Sequence, residues 1–301
     1  MATTSKLNII GLKAPIQHHK ELAPQTWLGV GGQAEFYIEP QDITDLQLIL
    51  SQNPNLPITL LGAGSNVLIR DAGISGLVIH LANGFKNYTV DKNKITAGAG
   101  LSLIKLATIA AECGLSGFEF MSGIPGSLGG GLKMNAGAYG SDLSALCTQV
   151  VFMDKEGKIN KINPKTTDFF AYRQSALPPN AIFIEATLEG TPKNKNEILQ
   201  TMAELKQKRQ SSQPQGVKTA GSTFKNPPDC AAWKLIDEAG LRGYTHNGAK
   251  ISEKHSNFMI NANNATATDL EELGEFVRQQ VKQKTGHTLE WEIKIIGKKE
   301  K

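Results

Sequence analysis

Residues 117–140, GFEFMSGIPGSLGGGLKMNAGAYG, contain eight glycines, and no other stretch constrains the fold as strongly. Each glycine costs backbone entropy on folding and buries no side chain, so core packing does not account for such a run. The composition points instead to something bulky approaching the main chain. Ser127-Leu128-Gly129-Gly130 can open a short helix whose N–H groups face an anion. Two further glycine turns, LLGAGSN at 60–66 and ITAGAG at 95–100, follow β-like runs. Three such loops imply one large anionic cofactor threaded between them.

Gly62-Ala63-Gly64 invites a dinucleotide-binding reading, which fails on mechanism. Val67 stands at the third glycine position, and the following Val-Leu-Ile-Arg-Asp-Ala-Gly is a β-like run and turn. A Rossmann loop works by aiming a helix N-terminus at a pyrophosphate, and no helix follows here. What remains is either a tight structural turn or a nest of backbone N–H groups, with Ser65 and Asn66 beside it, that cradles an anion.

Up to about residue 190 the pattern is α+β. AEFYIEP, ITLLGAG, GLVIHL, YTVDKNKITAGAG, CTQVVFMDKEGKINKI and AIFIEATLEG read as strands or hairpins, with Lys155-Glu156-Gly157-Lys158 as one turn. DITDLQLILSQ and LSLIKLATIAAECG read as helices, the second stopped by Gly114. After a helix over NKNEILQTMAELKQKRQ, the polar run SSQPQG marks a boundary near residue 211. Beyond it lie a helix at AAWKLIDEAG, a strand at SNFMINA, and a long helix with a capping box at Thr268-Asp269-Leu270-Glu271. The last strand, LEWEIKIIG, alternates so that Glu290 and Glu292 project opposite Trp291.

A formal net charge of +4 with dispersed Lys and Arg suits small polyanionic ligands and argues against nucleic acid. The densest basic run, ELKQKRQ near Arg209, reads as a solvated helix face. No apolar run reaches membrane-spanning length, and MATTSKLNIIGLKAP lacks the features of a secretory signal, so a cytoplasmic protein is expected. Cys113, Cys147 and Cys230 form no C-x-x-C, and the six histidines show no ligand spacing. Buried free thiols and no metal site are expected.

LGAGSNVLI, ITAGAG and GIPGSLGGGLKMNAGAYG together resemble the FAD-binding fold of the vanillyl-alcohol-oxidase (PCMH) class. Their spacing is similar to one branch, the UDP-N-acetylenolpyruvoylglucosamine reductases, from TWLGVGG near Thr26 to EIKIIG at Ile296. The resemblance implies an FAD-binding domain over residues 1–210, with its core at about 29–193, and a smaller α+β substrate-binding domain over 211–301. It implies FAD contacts from Gly62, Gly64, Ser65, Asn66, Gly100, Gly123, Ile124, Pro125, Gly126, Ser127, Gly130, Asn135, Gly137 and Ala138. Related oxidases tether FAD through a His or Cys near the first loop; Gly62 to Gly73 contains neither, so a non-covalent flavin is expected. Bulky replacements at Gly64 or Gly126 are expected to cost flavin binding more than folding.

Three further patches resemble that family's reacting motifs: FAYRQSAL, AGSTFKNP and LEWEIKIIG. They place Arg173, Ser222 and Glu292 at the catalytic positions. Singly, each fits a surface ion pair, a loop hydroxyl or the wet side of an edge strand; it is the set, in the family's order, that carries the roles. The implied reaction is NADPH-dependent reduction of UDP-N-acetylglucosamine enolpyruvate to UDP-N-acetylmuramate, in peptidoglycan precursor synthesis. Ser222 would protonate the carbon next to the carboxylate, and Arg173 and Glu292 would stabilise the charge. Lys225 and Asn226 would contact the substrate diphosphate or sugar. KHSNFMIN matches a His-x-Asn-Phe stretch, which leaves His255 and Asn257 open between structural and ligand roles. Asn247-Gly248-Ala249 departs from the usual Gly-Gly-Ala. The short link from Ser175 to Ala181 resembles the shorter subtype, without an inserted tyrosine loop.

Overall fold

The computed structural model describes residues 7–53 and 55–299. The chain forms two compact units, neither continuous in sequence. The first takes the residues up to His19, Glu35–Ala63 and Gly76–Lys206; the second takes Lys20–Ala34, Gly64–Ser75 and everything from Gln207 onward. A division at residue 210 therefore misses two N-terminal segments that join the second unit. Among the described residues no helix is long and apolar enough to cross a membrane.

The first unit is built on a five-stranded antiparallel sheet in the order Ile159–Ile162, Cys147–Met153, Ile182–Glu189, Lys94–Gly98, Tyr88–Asp91. The anticipated turn closes its first hairpin. The Asp154 carboxylate accepts from the Glu156 and Lys158 amides, and Gly157 takes a left-handed φ of 82°. Helix Leu103–Glu112 starts at Ser102, whose hydroxyl accepts from the Lys105 amide, and buries Leu103, Leu106, Ala107, Ile109 and Ala110 against this sheet's core. Truncating the fully buried Leu106 to Ala would remove about 2–5 kcal/mol. The unit also carries most of a four-stranded sheet, Gln17–Glu21, Gln33–Ile38, Ile74–His80, Ile58–Leu61, whose last two strands are parallel. Helix Ile43–Gln52 fills a second core there with Leu46, Ile49 and Leu50, alongside Phe36, Ile38 and Ile79.

The cysteines are all free, but only Cys147 is buried; Cys113 is exposed where helix Leu103–Glu112 ends. Burial pushes the Cys147 thiol up to about 12, so it stays protonated and inert at neutral pH.

The second unit is a four-stranded antiparallel sheet, Lys218–Ser222, Phe258–Asn261, Ala249–Ile251, Thr245–His246. Helices Ala232–Glu238 and Ala267–Thr285 share a core with it through Leu235, Ile236, Met259, Leu270, Leu273 and Val277. Asn247-Gly248 closes the last hairpin. Asn247 carries the left-handed position at φ 50°, and its amide donates to Asp269, so asparagine serves where the family's usual glycine stands.

The capping box lies two residues earlier than the sequence suggested. Thr266 is the N-cap, and it exchanges hydrogen bonds with Asp269. Thr268 instead donates from its amide and hydroxyl to Asp71, which also accepts from the Ala267 amide. Beside it, Arg70 makes a two-pronged ion pair with Glu271 at 2.7 and 2.9 Å. These contacts, with a parallel pairing of Val67–Ile69 and Lys294–Ile296, explain why residues 64–75 belong to this unit.

The final strand is correspondingly shorter than LEWEIKIIG. Leu289 and Ile293 are buried and Glu290 and Lys294 exposed, as the alternation required, but only Lys294–Ile296 pair as a strand. Trp291 makes a single bridge to Phe224, and its indole N–H donates to Glu275 at 2.7 Å. The indole occupies space that only a glycine leaves open, since a Cβ on Gly274 would lie 1.9 Å from the ring. Helix propensity alone makes Gly274→Ala stabilising by about 0.5–1 kcal/mol. Overpacking costs about 1–3 kcal/mol and should win. A lower Tm is expected; a higher one would show that the indole can move aside.

Candidate active site

In the first unit Gly62, the turn at 95–100 and the glycine-rich run at 117–140 come together. Leu128 and Gly129 amides donate to the Leu101 and Ala99 carbonyls, and the Leu103 amide donates to that of Gly126. Ser127 caps the helix Leu128–Lys133, its hydroxyl accepting from the Gly130 amide. Gly62 faces the same point. A Cβ on it would lie 2.8 Å from Ser127 Oγ and 4.0 Å from Gly130 Cα, while Gly130 itself is exposed. Gly62, Ser127 and Gly130 thus form a cradle lined by backbone and one hydroxyl, the type of surface a flavin diphosphate requires. Gly123 and Ile124 close the short turn before it, where the Ile124 amide donates to the Met121 carbonyl.

The other loop glycines have a different cause. A Cβ on Gly100 would fall 2.6 Å from the Ala82 carbonyl oxygen, one on Gly137 2.5 Å from that of Ser141, and one on Gly64 1.8 Å from that of Gln25. The chain's own backbone demands these three. Asn135 is likewise committed. Buried at 3% exposure, it donates to Asp142 and the Ala171 carbonyl and accepts from the Ser144 amide.

Through Ala171, Asn135 braces the hairpin Phe170–Ala171/Gln174–Ser175 that carries Arg173 at its tip. Arg173 adopts a left-handed φ of 57°, uncommon outside glycine and asparagine. Its guanidinium lies over the Tyr172 ring and reaches the Gly137 carbonyl at 3.4 Å. Gly137 and Ala138, expected beside the cofactor, pair with Ser141–Asp142.

Ser222 and Glu292 belong to the second unit and are joined through one residue. Ser222 ends the strand Lys218–Ser222, after Gly221 at φ 80° and a register shift in the pairing with Phe258–Asn261. The next residue, Thr223, is fully buried, and its carbonyl accepts from the Glu292 amide at 2.9 Å. The Glu292 carbonyl in turn accepts from the Asn66 side chain, 3.2 Å away. Asn66 therefore anchors the Glu292 segment, and Ser65 stands one residue before it.

Two segments of the chain match family models: residues 213–296 the C-terminal domain of UDP-N-acetylenolpyruvoylglucosamine reductase, and residues 34–163 an FAD binding domain. The UDP-N-acetylenolpyruvoylglucosamine reductase of Gluconobacter oxydans (strain 621H) is 45% identical over 300 residues, covering 99% of this chain and 98% of that protein. That of Paramagnetospirillum magneticum is 46% identical over 277 residues, covering 92% and 90%. The crystal structure of the Thermus caldophilus enzyme is similar with a TM-score of 0.81 at 35% identity, covering 94% of this chain and 99% of that one. This chain belongs to the UDP-N-acetylenolpyruvoylglucosamine reductase family. It is an oxidoreductase with FAD as its cofactor, in the vanillyl-alcohol-oxidase class of FAD-binding fold.

Within this reductase-family chain the remaining candidates separate by contact. Lys225 pairs with Glu290 at 3.0 Å near the surface. Asn226 Oδ1 accepts from the Ala232 amide at the start of a helix, leaving its NH2 to donate elsewhere. His255 packs edge-on against Trp233 and Phe258, and desolvation lowers its pKa from the usual 6.5, a structural setting. Asn257 is buried, and its amide bonds both main-chain groups of Phe224. Sequence reasoning missed Thr223, Gly274 and the Arg70–Asp71 pair, because their partners lie far along the chain.

The glycine contacts revise one expectation. Gly64 sits at φ 65°, where any side chain costs about 1–2 kcal/mol before the clash with Gln25 is counted. Gly64→Ala should lower Tm outright. Gly130→Val, at an exposed position where a Cβ would meet only the capping Ser127 Oγ, at 3.5 Å, should fold and lose flavin. Thermal melts and flavin absorbance distinguish them; a Gly64→Ala protein of unchanged Tm contradicts the assignment.

Proposed function

We propose that this chain catalyses the NADPH-dependent reduction of UDP-N-acetylglucosamine enolpyruvate to UDP-N-acetylmuramate, in the cytoplasm, for peptidoglycan precursors. The observation that most supports the reading is the bond from the Glu292 amide to the buried Thr223 carbonyl, because it ties together the main chains of two distant motifs, one residue after Ser222. FAD binding falls to the cradle around Gly62, Ser127 and Gly130, and substrate binding to the unit that holds Lys225 and Asn226.

Held by that cradle, FAD would supply the hydride-transfer chemistry between NADPH and the terminal methylene of the enolpyruvyl group. Hydride arrival leaves negative charge shared between the adjoining carbon and the carboxylate. Arg173 offers that carboxylate a planar fork of donors, and Glu292, when it carries a proton, adds a hydrogen bond. Ser222 donates its hydroxyl proton to the carbon and regains one from solvent, so the double bond gains two hydrogens in all. A serine hydroxyl is a weak acid, and it suffices because the carbon it protonates is strongly basic. Lys225 can turn from Glu290 to the diphosphate at small cost, since an exposed ion pair is worth about 0–1 kcal/mol.

Purified enzyme incubated with NADPH and the enolpyruvyl nucleotide should yield a product heavier by two hydrogens by mass spectrometry. Its flavin should be released into the supernatant by acid precipitation. Unchanged nucleotide, or flavin retained on the polypeptide, would contradict the proposal.

A further inference from the structure

We propose that Asn257 is a positioning residue for Ser222, a role that rests on the assignment of Ser222 as proton donor. On the N-terminal side, Ser222 follows Gly221, whose φ is 80° and around which a Cβ would meet nothing within 4 Å. Regular sheet pairing is interrupted there as well, between Thr219 and Ser222. Neither feature fixes the direction of the Ser222 side chain. The C-terminal side is pinned. Asn257 accepts from the Phe224 amide at 3.0 Å, donates to the Phe224 carbonyl at 2.8 Å, and accepts at its own carbonyl from the Thr223 amide at 2.7 Å. Thr223 Oγ1 accepts from the Met259 amide at 3.1 Å. Asn257 is 3% exposed, so water does not substitute for these bonds.

A carboxamide is the side chain that meets a peptide's N–H and C=O together, with one acceptor and one donor. An aspartate in its place accepts from Phe224 N–H and repels its carbonyl. Because the Glu292 amide also bonds the Thr223 carbonyl, the clamp sets the Thr223–Phe224 peptide, which holds the Glu292 main chain and lies one residue after Ser222. Proton transfer requires heavy-atom separations of about 2.6–3.2 Å, and a misplacement of about 1 Å costs about 10²-fold in rate.

The test is Asn257→Asp, followed by stopped-flow flavin absorbance. Reoxidation by the enolpyruvyl nucleotide should slow about 10²-fold, reduction by NADPH should be unchanged, and amide exchange at Thr223 and Phe224 should accelerate. In the Ser222→Ala background the substitution should have no further effect on reoxidation. Slowing of both half-reactions alike, or an additive effect in the double variant, overturns the positioning role. If Ser222→Ala slows reoxidation and Asn257→Asp does not, this inference alone falls. If Ser222→Ala changes nothing, the proton-donor assignment fails and takes the inference with it. Should Asn257→Asp not fold, Thr223→Val, which removes the acceptor for the Met259 amide, should give the same selective slowing; equal effects on both halves overturn the proposal.

Discussion

Ser222→Ala is expected to leave flavin reduction by NADPH intact and to slow reoxidation by the enolpyruvyl substrate by about 10²–10⁴-fold, the usual contribution of a positioned general acid. The selectivity follows from its place in the reaction, since Ser222 is assigned only to the proton that follows hydride transfer. Folding should be unaffected. The residue is half-buried at a strand end, and the bonds holding that segment come from Thr223, Phe224 and Asn257. Stopped-flow absorbance in the two directions separates the outcomes. Equal slowing of both halves would mean that Ser222 shapes the site, and no slowing would mean that the proton comes from elsewhere.

Arg173→Lys should be almost as damaging although the charge is retained, with kcat/KM falling about 10²–10³-fold, the range for removing one electrostatic stabiliser of developing charge. A guanidinium presents a planar fork to a carboxylate, and an ammonium is a point charge. The hairpin should survive, because Asn135 and the strand pairing at Phe170–Ser175 hold it independently of the side chain. Stability should change little while turnover collapses. Near-normal turnover would reduce Arg173 to a contact of Gly137 and Tyr172.

What could be read from the sequence was decided within a few residues of itself. The Ser127 cap, the Gly157 turn, the helix stopped by Gly114, and the strand after Gly64 in place of a Rossmann helix depend on local chemistry, and each is present in the structure. Glycines were harder. A Cβ on Gly130 would meet only Ser127 Oγ at an ordinary 3.5 Å, whereas one on Gly64 would run into the Gln25 carbonyl, yet the two look alike in a sequence, because their difference lies in partners brought near by folding. The capping box shows the same limit. Thr266-x-x-Asp269 and Thr268-x-x-Glu271 are equally good patterns, and the choice is made by Arg70, 201 positions away, which engages Glu271. The motifs of Arg173, Ser222 and Glu292 were visible through family likeness. The residues that brace them, Asn135, Asn66 and Asn257, act through main-chain bonds that no residue pattern announces.

The most direct test of the central claim is the visible spectrum of the purified, anaerobic protein through one cycle. An oxidised flavin spectrum should bleach on addition of NADPH and return on addition of the enolpyruvyl nucleotide, with one nucleotide reduced for each flavin reoxidised. A colourless protein that takes up no FAD, or a bleached flavin that the nucleotide fails to recolour, would contradict it.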